Sequence, residues 1–111
     1  MRITLIAVAL IATALPAYAE DTTKEFLKKY GNGEDLAARL YLKGIGAGIS
    51  VYNAQKQIEG GAAYCPPERV GIVDAQYAVI IRNFVAKYPE TLDVPIDVTL
   101  LLALKDAFPC Q

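Results

Sequence analysis

The side chains that most enzymes use for nucleophilic and acid–base chemistry are scarce in this sequence. Its 111 residues include no histidine and a single serine, Ser50. Neither a Ser/His nor a Cys/His catalytic pair can therefore form, and a zinc site with histidine ligands is excluded as well. An enzyme built on this chain would depend on carboxylates, lysine or tyrosine.

Two pairs of acidic residues have a spacing that could support general acid–base catalysis. They are Asp93 with Asp97 and Glu34 with Asp35. Each pair falls where we predict a helix to begin, and negative charge at that position complements the helix dipole. Residues 32–35 also lack the alternating oxygen ligands of a calcium loop. We therefore predict a protein that is not an enzyme and that has no metal site and no cofactor.

The first nineteen residues have the pattern of a secretory signal peptide. Arg2 supplies a positive charge, residues 3–15 are apolar apart from two threonines, Pro16 interrupts the run, and residues 17–19 read A-Y-A. A membrane anchor is the alternative, but thirteen helical residues reach about 20 Å and a bilayer core is about 30 Å thick. We predict cleavage after Ala19, a mature domain of residues 20–111 and a periplasmic location.

The charge of the mature chain argues against two classes of partner. Removal of residues 1–19 takes away Arg2, which leaves ten basic against twelve acidic residues and a net charge of −2. Both signs are scattered along the chain, without the basic stripe that nucleic acid or an anionic membrane surface requires. We expect neither nucleic acid nor membrane as a partner.

The two cysteines, Cys65 and Cys110, are expected to form a disulfide, because an exported chain enters an oxidising compartment. For a loop of this length the chain-entropy model gives about 4 kcal/mol of stabilisation. A redox-active pair is the alternative, but such pairs normally have C-x-x-C spacing. We predict a structural bond.

Helix signals divide the mature chain into four segments. Thr22 and Glu25 have the spacing of a capping box, and Gly31 can end the first helix. A second helix is predicted to start at Asn32 or Gly33 and to end by residues 60–61. Its apolar residues form two adjoining stripes: Leu36, Leu40, Ala47 and Val51, and then Tyr41, Ile45, Ile49 and Tyr52.

The third and fourth helices are bounded by prolines. The third is predicted to begin at a Gly71 cap and to end at Pro89. Asp93 is the predicted cap of the fourth, which ends at Pro109. Since no stretch alternates with the period of a strand, we predict an all-α fold, a small four-helix bundle-like domain with one disulfide.

Three glycines, Gly44, Gly46 and Gly48, lie inside the second predicted helix. Each costs about 1 kcal/mol relative to alanine at such a position. The pattern matches no phosphate-binding loop, and no strand precedes it. We interpret the glycines as a flat face that another helix approaches closely, with a local kink as the alternative.

Candidate contact residues come from the polar connections. Residues 55–64 are predicted to form a surface loop, with Tyr64 as a partner contact beside the disulfide. Glu90 and Asp93 are the other candidates, in the connection before the fourth helix. Tyr77 and Tyr88 lie on the apolar stripe of the third helix and are assigned to the core.

The C-terminal half closely resembles the Rap/Tai immunity proteins of type VI secretion. The matching segments read C-P-P-E-R-V at 65–70, Y-P-E at 88–90 and A-L-K-D-A-F-P-C at 103–110. They correspond to the family's C-x-P-x-x-V start, its H-P-E helix end and its final A-L-x-x-A-F-P-C. Residues 26–27 and 41–44 are similar, more loosely, to its N-terminal regions. Members commonly carry a second cysteine pair, near Tyr30 and Tyr41 here, and this chain lacks it.

The resemblance implies an exported helical protein, often a homodimer, that binds a cognate peptidoglycan amidase effector in the periplasm and blocks its active site. The alternative is a periplasmic chaperone-like or binding protein that uses the same scaffold without an effector.

Overall fold

The computed structural model describes residues 20–67 and 71–111, and the predicted signal peptide lies outside the described residues. The described part of the chain is all-α with four helices, as predicted, and contains no strand. We label the helices α1, Thr23–Lys29; α2, Leu36–Ile58; α3, Asp74–Lys87; and α4, Ile96–Ala107.

The predicted capping box at the start of α1 is confirmed. The backbone N–H of Glu25 donates to the Thr22 hydroxyl at 3.2 Å, and the Thr22 N–H donates to the Glu25 carboxylate at 3.2 Å. These two bonds satisfy backbone donors that the first turn of a helix leaves free. Gly31, with φ of +57°, ends the helix region as predicted.

The start of α2 was predicted three to four residues too early. Asn32 and Gly33 have φ of +59° and +83°, outside the right-handed helical region, so residues 31–33 form a tight left-handed turn and not the first turn of α2. The helix begins at Leu36, after Asp35 in an extended conformation. At its other end, α2 continues to Ile58. Residues 55–58, which were predicted to be loop, are therefore helical.

The starts of α3 and α4 also differ from the prediction. Val73, not Gly71, precedes α3, and its N–H donates to the Gln76 side chain at 2.8 Å. Asp93 lies in a 3₁₀ turn over Pro89–Asp93 and does not cap α4, which begins after Pro95. Proline at that position suits a helix start because its missing N–H would have no helical partner.

The core lies where α2, α3 and α4 meet α1. Its fully buried larger apolar side chains come from all four helices: Phe26, Leu42, Ile81, Ile96, Leu100 and Leu104. Tyr77 is buried in this cluster as predicted, whereas Tyr88 is exposed at the end of α3, where its ring packs on Phe84 with centroids 4.9 Å apart.

A buried polar contact joins α1 to the start of α4. The Thr23 hydroxyl donates to the Val94 carbonyl at 2.8 Å and lies 2.7 Å from the Thr99 hydroxyl. Both threonines are fully buried. The backbone adds two bonds, from the N–H of Thr23 to the Val94 carbonyl and from the N–H of Ile96 to the Asp21 carbonyl. Residues 21–23 are thus fixed against residues 94–96.

The predicted disulfide joins Cys65 to Cys110, with Cα atoms 5.0 Å apart. Next to it, the Cys65 N–H donates to the Phe108 carbonyl at 2.8 Å. Both cysteines are exposed. The bond therefore ties the segment after α2 to the end of α4 at the surface, without taking part in the core.

Candidate partner-binding surfaces

In each acidic pair that could have supported catalysis, one carboxylate makes a contact within the chain. Asp97 accepts the backbone N–H of Val98 at 2.8 Å in the first turn of α4, and Glu34 lies 3.4 Å from Arg82. Among the residues that the structure describes, no three cysteines or carboxylates come together as a metal-binding group. In the same residues, no helix is long and apolar enough to cross a membrane.

Tyr64, a predicted contact residue, is 3% exposed and belongs to the core. The Asn53 side chain of α2 fixes this segment: its oxygen accepts the N–H groups of Ala63 and Tyr64 at 2.7 and 3.1 Å, and its nitrogen donates to the Tyr64 carbonyl at 2.9 Å. Burial raises the pKa of the Tyr64 phenol, with a smaller contribution from Tyr77. In this conformation a partner would reach the neighbours of Tyr64 rather than its ring.

A groove of about 430 Å³ opens beside Tyr64, between the C-terminal half of α2 and the disulfide segment. Its walls are mostly polar or proline side chains: Ser50, Asn53, Ala54, Gln57, Ala62, Tyr64, Cys65, Pro66 and Pro67. The three hydrogen bonds of Asn53 are made within the chain. A ligand in this groove would therefore be held mainly by the fit of its shape. Besides the buried Tyr64, the polar side chains that remain for hydrogen bonds are Ser50 and Gln57.

Glu90 and Asp93 are both exposed in the 3₁₀ turn before α4. The turn is held by Thr91, which is buried and whose hydroxyl donates to the Tyr88 carbonyl at 2.6 Å. Both carboxylates therefore project from a fixed backbone, at the end of the molecule where residues 21–23 meet residues 94–96.

Three further carboxylates, Glu20, Asp21 and Asp97, lie close enough to Tyr41 of α2 for their charges to act on it. We call them, together with Glu90 and Asp93 of the turn that precedes Val94, the acidic end. Glu20 accepts a hydrogen bond from the Tyr41 hydroxyl of α2. This bond raises the pKa of Tyr41 to about 12, with further contributions from burial and from the negative charges of Glu20, Asp97 and Asp21. The charges of Glu20, Asp97 and Asp21 therefore act together on Tyr41, and Asp21 is also paired with Lys29 at 3.7 Å.

A mainly apolar groove of about 350 Å³ runs from the acidic end between α2 and α4. It is lined by Ile45, Gly48, Ile49, Tyr52, Asp97, Val98 and Leu101. Gly48 leaves it open, because no atom lies within 4 Å of the position that a Cβ would occupy there. Asp97 is its charged residue. The groove could accept an apolar side chain or helix that carries a positive charge at one end.

The three glycines of α2 have different surroundings. A Cβ on Gly46 would lie 2.5 Å from the tip of the Tyr77 ring, so the predicted close approach of another helix is confirmed at Gly46, with α3 as that helix. Gly44, like Gly48, has no atom within 4 Å of its Cβ position. Intrachain packing therefore explains one glycine of the three.

The first apolar stripe predicted for α2 faces away from the core. Leu36 and Val51 are each 71% exposed, and Leu40 is 60% exposed. We call one row on this side the outer seam: Leu40, Gly44, Ala47, Val51, Ala54 and Ile58. Ile58, at 88%, is exposed as well.

The sequence contained a signal that the outer face of α2 would be left uncovered, but our prediction did not assign a partner to that face. A helix with apolar residues on two faces has two surfaces to bury, whereas the core of one small domain buries only one of them. The 4-3-4-3-4 spacing of the outer seam is also that of a helix-packing heptad.

A protein-family model described as Rap1a immunity proteins matches residues 11–110. No curated protein and no solved structure matches the chain.

Proposed function

The chain belongs to the Rap1a immunity protein family, and we propose that it binds a cognate effector protein and neutralises it. The observation that carries the proposal is the family match, which spans nearly the whole chain. Immunity by binding needs no catalytic group of its own. It needs a rigid surface, and the disulfide together with the buried Thr23–Thr99 contact supplies rigidity at both ends of α4.

The finer proposal is that the effector is a peptidoglycan amidase of type VI secretion and that the two proteins meet in the periplasm. The resemblance of the Cys65–Cys110 half to Rap/Tai proteins supports this effector class. The signal-peptide pattern of residues 1–19, with cleavage after Ala19, supports the location. An exposed disulfide also suits an oxidising compartment. We propose in addition that the protein is a homodimer and has no catalytic activity.

The surface that fits an effector best is the acidic end together with the α2–α4 groove. It combines apolar walls, exposed Tyr52, and carboxylates that include the predicted contacts Glu90 and Asp93. Aromatic residues with a polar tip are favoured at protein interfaces, and opposite charges across an interface raise the rate of association. We propose that the effector presents a positively charged rim with an apolar side chain at this surface. Tyr64 would contribute only through the segment beside it.

The first test is protection of cells. Each amidase effector encoded in the source genome is directed to the periplasm of a host, with and without this chain. We expect the chain to prevent lysis by one of them. Lysis that continues with every effector would contradict the immunity proposal.

The second test locates the surface. Exchange of both Asp93 and Asp97 for lysine is expected to weaken effector binding at least tenfold, about 1.4 kcal/mol, in a calorimetric titration. Glu59→Lys is the control at the other end of α2, because Glu59 is exposed and follows Tyr41 by 18 residues, about 27 Å along the helix. It changes the net charge by two units and the double variant by four. A free-energy loss in Glu59→Lys half as large as that in the double variant would therefore indicate a general charge effect and would remove the acidic end as the binding surface.

A further inference from the structure

The left-handed turn between α1 and α2 contains an asparagine followed by a glycine, Asn32 and Gly33. Glycine has no side chain to shield its backbone nitrogen, so this nitrogen can attack the amide carbon of the preceding asparagine. The two other asparagines, Asn53 and Asn83, lie inside helices and are followed by alanine and phenylalanine. Asn32 is therefore the asparagine with the most reactive neighbour, and it is exposed.

The reaction available to this pair is cyclisation followed by hydrolysis. The Gly33 nitrogen forms a bond to the Asn32 Cγ and loses its proton, while the side-chain amide nitrogen takes up a proton and leaves as ammonia. The product is a five-membered imide ring. Water, the co-reactant, then opens the ring at one of its two carbonyl carbons. One opening gives aspartate, and the other gives isoaspartate, in which the main chain runs through Cβ.

The folded turn holds Asn32 in a conformation from which this ring cannot close. Its φ and ψ are 59° and 25°, and with this ψ the Gly33 nitrogen lies on the side of the Cα–C bond away from Cβ. The Gly33 N–H also donates to the Tyr30 carbonyl at 3.0 Å, so it is directed away from the Asn32 side chain. Ring closure therefore requires the turn to open first.

Arg82 of α3 holds the turn in this conformation. Its guanidinium donates to the Asn32 carbonyl at 2.9 Å and lies 3.4 Å from the Glu34 carboxylate. A hydrogen bond with a charged donor is stronger than one between neutral groups. The Asn32 carbonyl oxygen and the Gly33 nitrogen belong to one planar peptide group, so the rotation that ring closure needs moves both atoms. That rotation breaks the bond to Arg82.

We propose that Asn32 is a site of spontaneous deamidation and that Arg82 slows the reaction by holding the turn closed. When the turn opens, hydrolysis places a carboxylate at residue 32, and the isoaspartate form also adds a carbon to the main chain. Gly33 is buried, and a Cβ there would already lie 3.0 Å from the Ala78 Cβ. The longer main chain cannot keep this packing, so the modification loosens the junction of α1 with α2.

The test follows deamidation of the mature, oxidised protein at mildly alkaline pH by peptide mass spectrometry. We expect Asn32 to react at least about tenfold more slowly in the folded protein than in urea, because opening of the turn limits the folded rate. Arg82→Met keeps the aliphatic stem but removes the donor, and should raise the folded rate at least about threefold. Arg39→Met is the matched control, since Arg39 is exposed and lines the same small cavity beside Gly33, and it should leave the rate unchanged.

Amide hydrogen exchange separates opening of the turn from loss of the whole fold. In Arg82→Met the exchange rate of the Gly33 N–H should rise by the same factor as deamidation of Asn32. Asn53 and Asn83 are internal references in the same spectra and should stay intact.

Three results would overturn the proposal. If Asn32 remains intact in urea, it is not a site of deamidation. If the folded and urea-treated chains react equally fast, or if Arg39→Met accelerates the reaction as much as Arg82→Met does, Arg82 has no protective role. Acceleration at Asn53 together with Asn32 would indicate general unfolding and would also exclude that role.

Discussion

The two faces of α2 are both apolar, but their surroundings are opposite. On the inner face Gly46 lies against Tyr77 and Leu42 is fully buried. On the outer face Gly44 and Leu40 occupy equivalent places in their own row, and Leu40 is largely exposed. The same residue types therefore contribute to folding on one side and remain available for association on the other. Apolar content alone therefore does not locate the core of a small helical domain.

The largest expected difference between the faces is that of the two leucines. Leu42→Ala should lower the free energy of unfolding by about 2–5 kcal/mol, because it leaves a cavity in the core. Leu40→Ala should change it by less than about 0.5 kcal/mol, because Leu40 is 60% exposed. Urea denaturation followed by circular dichroism measures both. Similar losses for the two variants would show that the outer face is part of the core.

The glycines are expected to respond with opposite signs. Gly46→Ala should destabilise the protein by up to about 2 kcal/mol, because crowding of Tyr77 costs about 1–3 kcal/mol against a gain in helix propensity of about 1 kcal/mol. Gly44→Ala should stabilise it by about 0.5–1 kcal/mol, because nothing crowds a Cβ at that position. Thermal melts compare the two. A destabilising Gly44→Ala would point to an intrachain contact at the outer face.

The smallest effect concerns Tyr41, at the edge between the two faces. Its pKa in the folded protein is about 12, above the ordinary value of 10.0, chiefly because its hydroxyl donates to Glu20. The neutral phenol is favoured by the fold. This stabilisation is complete below about pH 10 and is lost as the pH rises towards about 12. Absorbance at 295 nm should show a group of tyrosines that ionise late, because burial also raises the pKa values of Tyr64 and Tyr77. Tyr41→Phe should remove one ionisation from that late group, and loss of an ionisation near pH 10 instead would exclude the Glu20 contact.

Local signals in the sequence predicted much of the fold. The T-x-x-E pattern at Thr22 placed the start of α1, Pro89 placed the end of α3, and the two cysteines placed the disulfide. Each of these depends on a few neighbouring residues or on pairing by elimination. The left-handed run at residues 31–33 shifted the start of α2, because glycine and asparagine permit that conformation without requiring it.

The candidate site was less predictable because it depends on contacts between distant residues. Tyr64 is buried since Asn53, eleven residues earlier, binds its backbone, and no local pattern indicates such a bond. The acidic end forms since residues 21–23 bind residues 94–96. For the outer seam the periodicity was visible, but which of two apolar stripes would face inward depended on how the other helices pack.

The position of the disulfide has a consequence for when the protein becomes stable. Cys65 and Cys110 join the segment after α2 to the segment after α4, so the bond can close only after all four helices have been synthesised. In an exported chain it would also close only after the reducing compartment has been left. Before that point the domain lacks its cross-link, which favours a loosely folded chain that can still be translocated. Oxidation of the two cysteines would then stabilise the fold in the compartment where we propose that the effector acts. The protein would become able to neutralise its effector only in an oxidising compartment.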